Sequence, residues 1–349
     1  MRLNPQPDSF FDRVALLLNL APTPILETQI ALLSARAIMA ATEVGIFSCL
    51  EHKRLSAPEI AKACALERRA TEALLTALVS ANYLRYSHQQ YELTGKSKKW
   101  LAPQNHWSLF DYMPHVGDVW RAIEGLEQFL RTGKALEIHS GGWGPEQWRR
   151  YQRAMRALAA VAAEEVSRRM PLKPEARTML DIGGSHGFYA VALCRKHPRL
   201  AAVILDLPEA IEAAAPILAM EAMGDRVRHQ TGDALVEDLG ENRYDLILIS
   251  NLAHHFTDGQ NRDLAKRAAR ALTLGGSLAI QEVIRPASPQ AGDQAVQTLN
   301  LFFALTSTSG SWSVAEIESW LRAAGLKVRR PLWLRTIPGA AQVCGTKLV

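Results

Sequence analysis

Between Thr178 and Glu282 five short apolar runs alternate with segments of helical length, and this alternation restricts the fold more than any other feature of the chain. Thr178–Ile182 runs straight into Gly183-Gly184-Ser185-His186-Gly187 and then a helix over Phe188–Lys196. Ala202–Leu205 ends in Asp206 and is followed by a helix from Pro208. Val227–Gln230 precedes Gly232-Asp233, and Asp245–Ser250 precedes Asn251-Leu252-Ala253-His254-His255-Phe256. A helix over Asp258–Leu272, a turn at Leu274-Gly275-Gly276 and a strand over Ser277–Glu282 complete the series. Strands and helices alternating at these lengths predict an α/β fold with a parallel, doubly wound sheet. Ligands of such sheets sit beyond the carboxyl ends of the strands, near the switch in strand order. That rule selects Gly183, Gly187, Asp206, Asp233, His254 and Glu282 together.

The preceding half reads differently. Glu27–Ile46 is apolar at helical spacing and stops at Gly45. Ser56, Pro58 and Glu59 have the layout of a capped helix start. A helix over Arg69–Ser80 and an alternating hairpin, Tyr83–Tyr86 with Gln90–Leu93, complete a winged-helix pattern. Its recognition helix begins with Arg68 and Arg69, but the body, Ala-Thr-Glu-Ala-Leu-Leu-Thr-Ala-Leu-Val, is too apolar to read base edges, which favours packing or dimerisation over DNA binding. Trp107–Met170 is again helical and rich in Trp and Arg, with Arg149, Arg150, Arg153 and Arg156 expected on a solvated or ion-paired face. Three stretches follow: a helical, winged-helix domain over 1–105, a helical connecting segment over 106–170 that contributes to a substrate pocket, and a ligand-binding domain over 171–349.

At 349 residues the chain is longer than one core usually serves. Its formal charge of +5 is spread among acidic residues without a basic tail, which argues against nucleic acid as a partner. Cys49, Cys64, Cys194 and Cys344 lack metal or redox spacing, so reduced thiols in a cytoplasmic protein are expected. No signal peptide is evident, and no apolar stretch is read as reaching the roughly 18 residues of a membrane span.

Asp206 follows the Gly-rich turn by about 20 residues, the spacing at which a carboxylate accepts hydrogen bonds from ribose hydroxyls. The run Gly-Gly-Ser-His-Gly lacks both the dinucleotide pattern Gly-x-Gly-x-x-Gly and the Lys-Ser/Thr pair of a P-loop. Asp181-Ile182-Gly183-Gly184-Ser185-His186-Gly187, Leu205-Asp206-Leu207-Pro208, Gly232-Asp233 and His254-His255-Phe256-Thr257-Asp258 resemble the motifs of class I small-molecule O-methyltransferases, the caffeate, hydroxyneurosporene and polyketide group with an N-terminal winged-helix dimerisation domain. The resemblance covers nearly the whole chain, including Tyr151–Met155.

The resemblance implies S-adenosylmethionine as cofactor, S-adenosylhomocysteine as product, a Rossmann-like catalytic domain, no metal and a homodimer. It assigns cofactor contacts to Asp181, Gly183, Gly184, Gly187, Asp206, Leu207, Asp233, Ala234 and Ser250, with Asp206 at the ribose and Asp233 near the adenine amine. His186 stands where a small residue is usual and is expected to face away from the cofactor or line its rim. His254 is the implied base and Glu282 the carboxylate that accepts its other proton. Met155, Asn251, Phe302, Phe303 and Trp312 are the implied acceptor contacts, suited to a phenolic or polyketide-like ring. A phenol near pKa ~10 and an imidazole near ~6.5 make full ground-state proton transfer unfavourable by roughly 5 kcal/mol, whereas transfer during bond formation costs less. His255 is read as structural and Asp258 as a helix cap.

Two departures stand out. Ser309-Gly310-Ser311-Trp312-Ser313 carries no carboxylate where plant members have a second Glu, and Ser250-Asn251 replaces their Lys and Trp. Transfer to carbon or nitrogen, or a cofactor-assisted reaction without methylation, therefore stays open, with a DNA-binding metabolite sensor as the remaining alternative.

Overall fold

The helical spacing after Glu27 is realised as a π-helical turn, Leu26–Ile30, that continues into the α-helix Ala31–Glu43. Gly45, at φ 83°, ends it in the left-handed region that a side chain would strain. This computed structural model describes residues 6–7, 9–136 and 143–348 and divides into two units, Met1–Asp118 and Val119–Val349.

In the first unit the helix Ala57–Ala63 carries the expected reciprocal cap between Ser56 and Glu59. The helix Arg68–Ser80 buries Thr71, Leu75 and Leu78, one stripe at helical spacing. Antiparallel strands β1 (Leu84–Ser87) and β2 (Gln90–Leu93) form the hairpin, and Leu55 bridges to Tyr91 along its edge. Ile46, Phe47, Leu50, Ile60, Leu75 and Leu84 make the core. The two arginines that open this helix, Arg68 and Arg69, are exposed, but Arg68 is paired with Glu72 at 2.9 Å. One expectation is corrected here. The helical run Thr23–Glu43 is 21 residues long and apolar enough, by length and composition, to cross a membrane. Ile25, Ile30, Leu32 and Leu33 of that run lie exposed.

The second unit is built on a sheet whose parallel strands are β3 (Thr178–Ile182), β4 (Ala201–Asp206), β5 (Val227–Thr231), β6 (Tyr244–Ser250) and β7 (Leu272–Val283). Short strands β8 (Lys327–Val328) and β9 (Leu332–Trp333) and the longer β10 (Ala340–Thr346) complete it. The order β5-β4-β3-β6-β7-β10-β8 reverses between β3 and β6, and β10 runs antiparallel to β7. Alternate strand residues face two cores. Met179, Ile204, Leu246 and Leu248 pack with the helices Pro145–Arg169 and Phe188–Lys196; Leu180, Ile182, Ile247 and Ile249 pack with the helices Asp258–Ala271 and Val314–Ala323. Burial on both faces is why these strands read as continuous apolar runs. The arginine face of Pro145–Arg169 is ion-paired in part: Arg149 and Arg153 meet Glu146, and Arg156 meets Glu221 at 2.8 Å.

Candidate functional site

A cavity of about 510 Å³ opens at the carboxyl ends of β3, β4, β5 and β6, where the strand order reverses. Its walls come from the segments that follow those strands: Gly183 and Ser185 after β3, Asp206 and Leu207 after β4, Asp233 and Ala234 after β5, and Asn251 after β6. This size falls in the range of small-molecule sites, ~300–1,000 Å³. Sheet topology thus gathers residues that the sequence separates by up to 68 positions, Gly183 to Asn251.

The turn after β3 is shaped by its own neighbours. A Cβ on Gly183, which has φ 67°, would meet the Leu252 side chain at 2.8 Å. Gly184 faces the Asp181 carboxyl in the same way, and Gly187 faces Ile204. Asp206 is tied to this turn, its Oδ2 accepting the Ser185 N–H at 2.8 Å and its Oδ1 the Leu207 N–H at 2.8 Å. Each oxygen keeps a further lone pair. Burial pushes the Asp206 carboxyl up to about 6 despite these N–H donors. Asp181, 1% exposed beneath the turn, is pushed up to about 8, first by burial and then by the nearby Asp206 charge. Its Oδ1 is buried without a hydrogen-bond partner. Two acids at the turn, Asp181 buried and Asp206 half-buried, favour a polar, cationic ligand, since a positive charge would stabilise both ionised forms. Cavity size, the spare acceptor sites on Asp206 and the unmatched oxygen of Asp181 together fit S-adenosylmethionine.

His186 does not line the cavity; it is buried, its Nδ1 accepts the Phe188 N–H at 3.0 Å, and burial, reinforced by the Arg156 charge, holds it down at about 3. Asp233 is exposed on the wall, its Oδ1 taken by the Leu235 N–H at 2.8 Å. Ser250 Oγ accepts from Gln281 at 3.1 Å, and Asn251 stands on the wall in a left-handed conformation, φ 51°.

Beside the cavity, β6 leads into a short turn, Ala253–His255. His254 Nδ1 lies 2.9 Å from Glu282 Oε2, both side chains being buried. Glu282 Oε1 accepts the Ala253 N–H at 2.7 Å, while the Ala253 carbonyl accepts from Asn261 Nδ2 and Trp312 Nε1, each at 2.9 Å. Both backbone polar groups of Ala253, the residue before His254, are therefore held. With Glu282 as an ionised carboxylate, which only accepts, Nδ1 is the donor of the pair and Nε2 carries the ring's lone pair.

His254 itself is not on the cavity wall; its neighbour His255 is, with Nδ1 3.3 Å from Ser307 Oγ. The His254 ring is faced by His255 at 4.2 Å and by Phe303 at 4.3 Å between centroids. Met155, Phe302 and Phe303 are half-buried outside the cavity wall, and Trp312 is packed against Trp320 at 5.1 Å within the core. Trp148 and Tyr151 do line the cavity, backed by Trp143. The helix cap expected at Asp258 belongs to Thr257, which pairs reciprocally with Gln260; Asp258 is the first helical residue and accepts from Trp320 Nε1 at 2.7 Å. Glu316, the acid nearest the carboxylate-free stretch, is committed to Arg285 at 2.6 Å and to Ser313. Asn261 and Ser307 had no sequence signal, because each acts through a backbone group or a partner distant in the chain. Among the described residues no three His, Cys, Asp or Glu side chains are grouped as a metal site.

Residues 124–327 match the O-methyltransferase domain and residues 26–103 the O-methyltransferase dimerisation domain. The chain is 27% identical to the 3-hydroxy-5-methyl-1-naphthoate 3-O-methyltransferase of Streptomyces sahachiroi, over 93% of this chain and 95% of that one. It is 24% identical to the N,N-dimethyltransferase OxyT of Streptomyces rimosus, over 88% and 91%. Its fold is similar to that of human N-acetylserotonin methyltransferase in complex with SAM, at a TM-score of 0.83 and 19% identity over 99% of this chain and 100% of that one. With the family's catalytic domain matching more than half of this chain, the chain belongs to the O-methyltransferase family and is an S-adenosylmethionine-dependent methyltransferase.

Proposed function

We propose that this protein methylates a hydroxyl, phenolic by preference, of a small aromatic or polyketide-like metabolite, with His254 as general base. The observation that carries the reading is the buried His254–Glu282 pair set immediately beside a cavity whose wall contains Asp206. S-adenosylmethionine, when bound, supplies a methyl group already activated on a sulfonium. Asp206 would hold its ribose, Asp233 and Ala234 would flank its adenine, and Gly183, Gly184, Gly187, Leu207 and Ser250 would bound the remainder, with Asp181 beneath. The protein's task is to align the acceptor oxygen with the methyl group and take its proton. Glu282 fixes the imidazole tautomer and stabilises the charge that His254 acquires. Met155, Asn251, Phe302, Phe303 and Trp312 are proposed to shape the acceptor pocket, with Asn251 nearest the cavity. The 106–170 segment contributes Trp148 and Tyr151 to the wall. The aromatic hydroxy acid named for the Streptomyces sahachiroi relative supports the acceptor class.

The protein is proposed to be a cytoplasmic homodimer that binds neither nucleic acid nor membrane. The dimerisation-domain match and the exposed apolar residues Ile25, Ile30, Leu32 and Leu33 support the dimer. All four cysteines are free thiols, which supports the compartment. Transfer to nitrogen is a second reading, favoured by the relative OxyT and by the absence of a second carboxylate in Ser309–Ser313. Incubating the protein with methyl-labelled S-adenosylmethionine and paired phenol and aniline acceptors separates the two. Label on the phenol, abolished in His254→Ala, is the expected result. Label on the aniline alone, or transfer that is unchanged in His254→Ala, would defeat the oxygen-transfer reading.

A further inference from the structure

Ser185 is the one non-glycine residue of the turn after β3 that takes a left-handed conformation, with φ 50° between Gly183 at 67° and Gly187 at 70°. It also lines the cavity. Two side chains from neighbouring strands hold it in place. Its N–H donates to Asp206 Oδ2 at 2.8 Å, and its carbonyl oxygen lies 2.8 Å from His229 Nε2. His229 belongs to β5, where it stands opposite Ile204 of β4, two positions before Asp206.

We propose that His229 is a positioning residue for cofactor binding: by donating Nε2–H to the Ser185 carbonyl it holds the Gly-rich turn, and through it Asp206, in the conformation that receives the cofactor. This rests on the assignment of the cavity to S-adenosylmethionine. A carbonyl oxygen only accepts, so the His229 proton must sit on Nε2. Burial lowers the pKa of His229, which agrees with a neutral ring in that tautomer. A left-handed side-chain-bearing residue relaxes unless its surroundings fix it. Without the His229 donor, the peptide group after Ser185 is free to rotate and relieve φ. The Ser185 N–H then moves away from Asp206, whose oxygens lose the orientation in which their spare lone pairs face the cavity. Holding the turn before the ligand arrives reduces the ordering needed on binding. His229 bonds to the Ser185 carbonyl and His254 to Glu282, two separate contacts, so the effect of His229 belongs on binding rather than on proton transfer.

The test is calorimetric titration of S-adenosylhomocysteine into wild type, His229→Leu and His229→Gln, with steady-state kinetics on the same proteins. The Gln amide can donate from about the position of Nε2, whereas Leu cannot donate. His229→Leu should raise both Kd for S-adenosylhomocysteine and KM for S-adenosylmethionine by at least about tenfold, a 1.4 kcal/mol change, with kcat within about threefold. His229→Gln should stay within about threefold of wild type on all three quantities. Unaltered Kd in His229→Leu, or equal losses in both variants, would overturn the role. If His229→Leu does not fold, His229→Gln decides alone, retained affinity supporting the donor and a tenfold loss refuting it. Wild type that binds no S-adenosylhomocysteine would remove the cofactor assignment and this inference together, whereas wild-type binding with an unaffected Leu variant removes the inference alone.

Discussion

His254 Nδ1 and Glu282 Oε2 are 2.9 Å apart although 28 residues separate them in the chain. They meet because β6 and β7 run side by side in parallel, so that the residues following one strand face the end of the other. The second carboxylate oxygen of Glu282 is occupied by the Ala253 N–H, which leaves one oxygen for the imidazole and fixes the ring's orientation. His254→Ala should therefore lower kcat by about 10²–10⁴, the usual contribution of a positioned base, while Kd for S-adenosylhomocysteine stays within about threefold. Glu282→Gln should lower kcat less, because the amide can still accept from Nδ1 but carries no charge to stabilise imidazolium. Single-turnover methyl transfer measures both.

Asn261 supports the same turn from the other side, donating to the carbonyls of Ala253 at 2.9 Å and Phe256 at 3.1 Å. Asn261→Ala leaves the Ala253 carbonyl to Trp312 alone and should let the His254 turn shift. A fall in kcat of about tenfold is expected with cofactor affinity retained, together with a stability loss of about 1–3 kcal/mol from the buried groups left short of a donor. Thermal unfolding and steady-state kinetics on the same sample resolve the two effects.

Much of the binding face was legible because it depends on strand order, and strands buried on both sides announce themselves as apolar runs. Gly183, Asp206 and Asn251 fall on one cavity for that reason. What could not be read is the antiparallel strand β10, which pairs with β7 some 60 residues back and carries Gln342 and Gly345 among its inward residues. The supporting polar residues were also invisible, since His229 and Asn261 bond to backbone carbonyls that only the fold brings near, and Trp312, expected at the acceptor, does the same. Aromatic residues gave no means of separating wall from core. Trp148 and Tyr151 line the cavity whereas Trp312 is packed against Trp320.

Glu165 anchors the helix Pro145–Arg169 to a loop distant in sequence. Its carboxylate accepts from the N–H groups of Arg335 and Thr336 and the Thr336 hydroxyl at 2.8–3.0 Å, and it pairs with Arg169. These bonds outweigh burial, and hold the carboxyl down at about 2. A depressed folded-state value contributes stability above the unfolded value of about 4.3, which is lost as pH falls toward 2. Glu165→Ala should destabilise the protein by about 3 kcal/mol at neutral pH, lowering Tm by about 6–12 °C. The difference from wild type should shrink as scanning calorimetry is repeated at progressively lower pH.

Ile30 and Leu33 are 46% and 55% exposed, a poor arrangement for a helix face in water. If a second copy covers them, Ile30→Glu with Leu33→Glu should shift the sedimentation coefficient from dimer to monomer while the circular dichroism of the helices is retained. Wild type that sediments as a monomer would contradict the proposed assembly.

Calorimetric titration of S-adenosylhomocysteine, with Asp206→Ala beside wild type, bears most directly on the account. Asp206 is the cavity acid proposed to hold the ribose, and burial raises its carboxyl to about 6. One site per chain in the micromolar range is expected at neutral pH, weakening as pH falls through about 6 and the carboxylate is protonated, and lost in Asp206→Ala. A folded wild type that takes up no ligand, or a variant that binds as tightly as wild type, would contradict the assignment of this cavity.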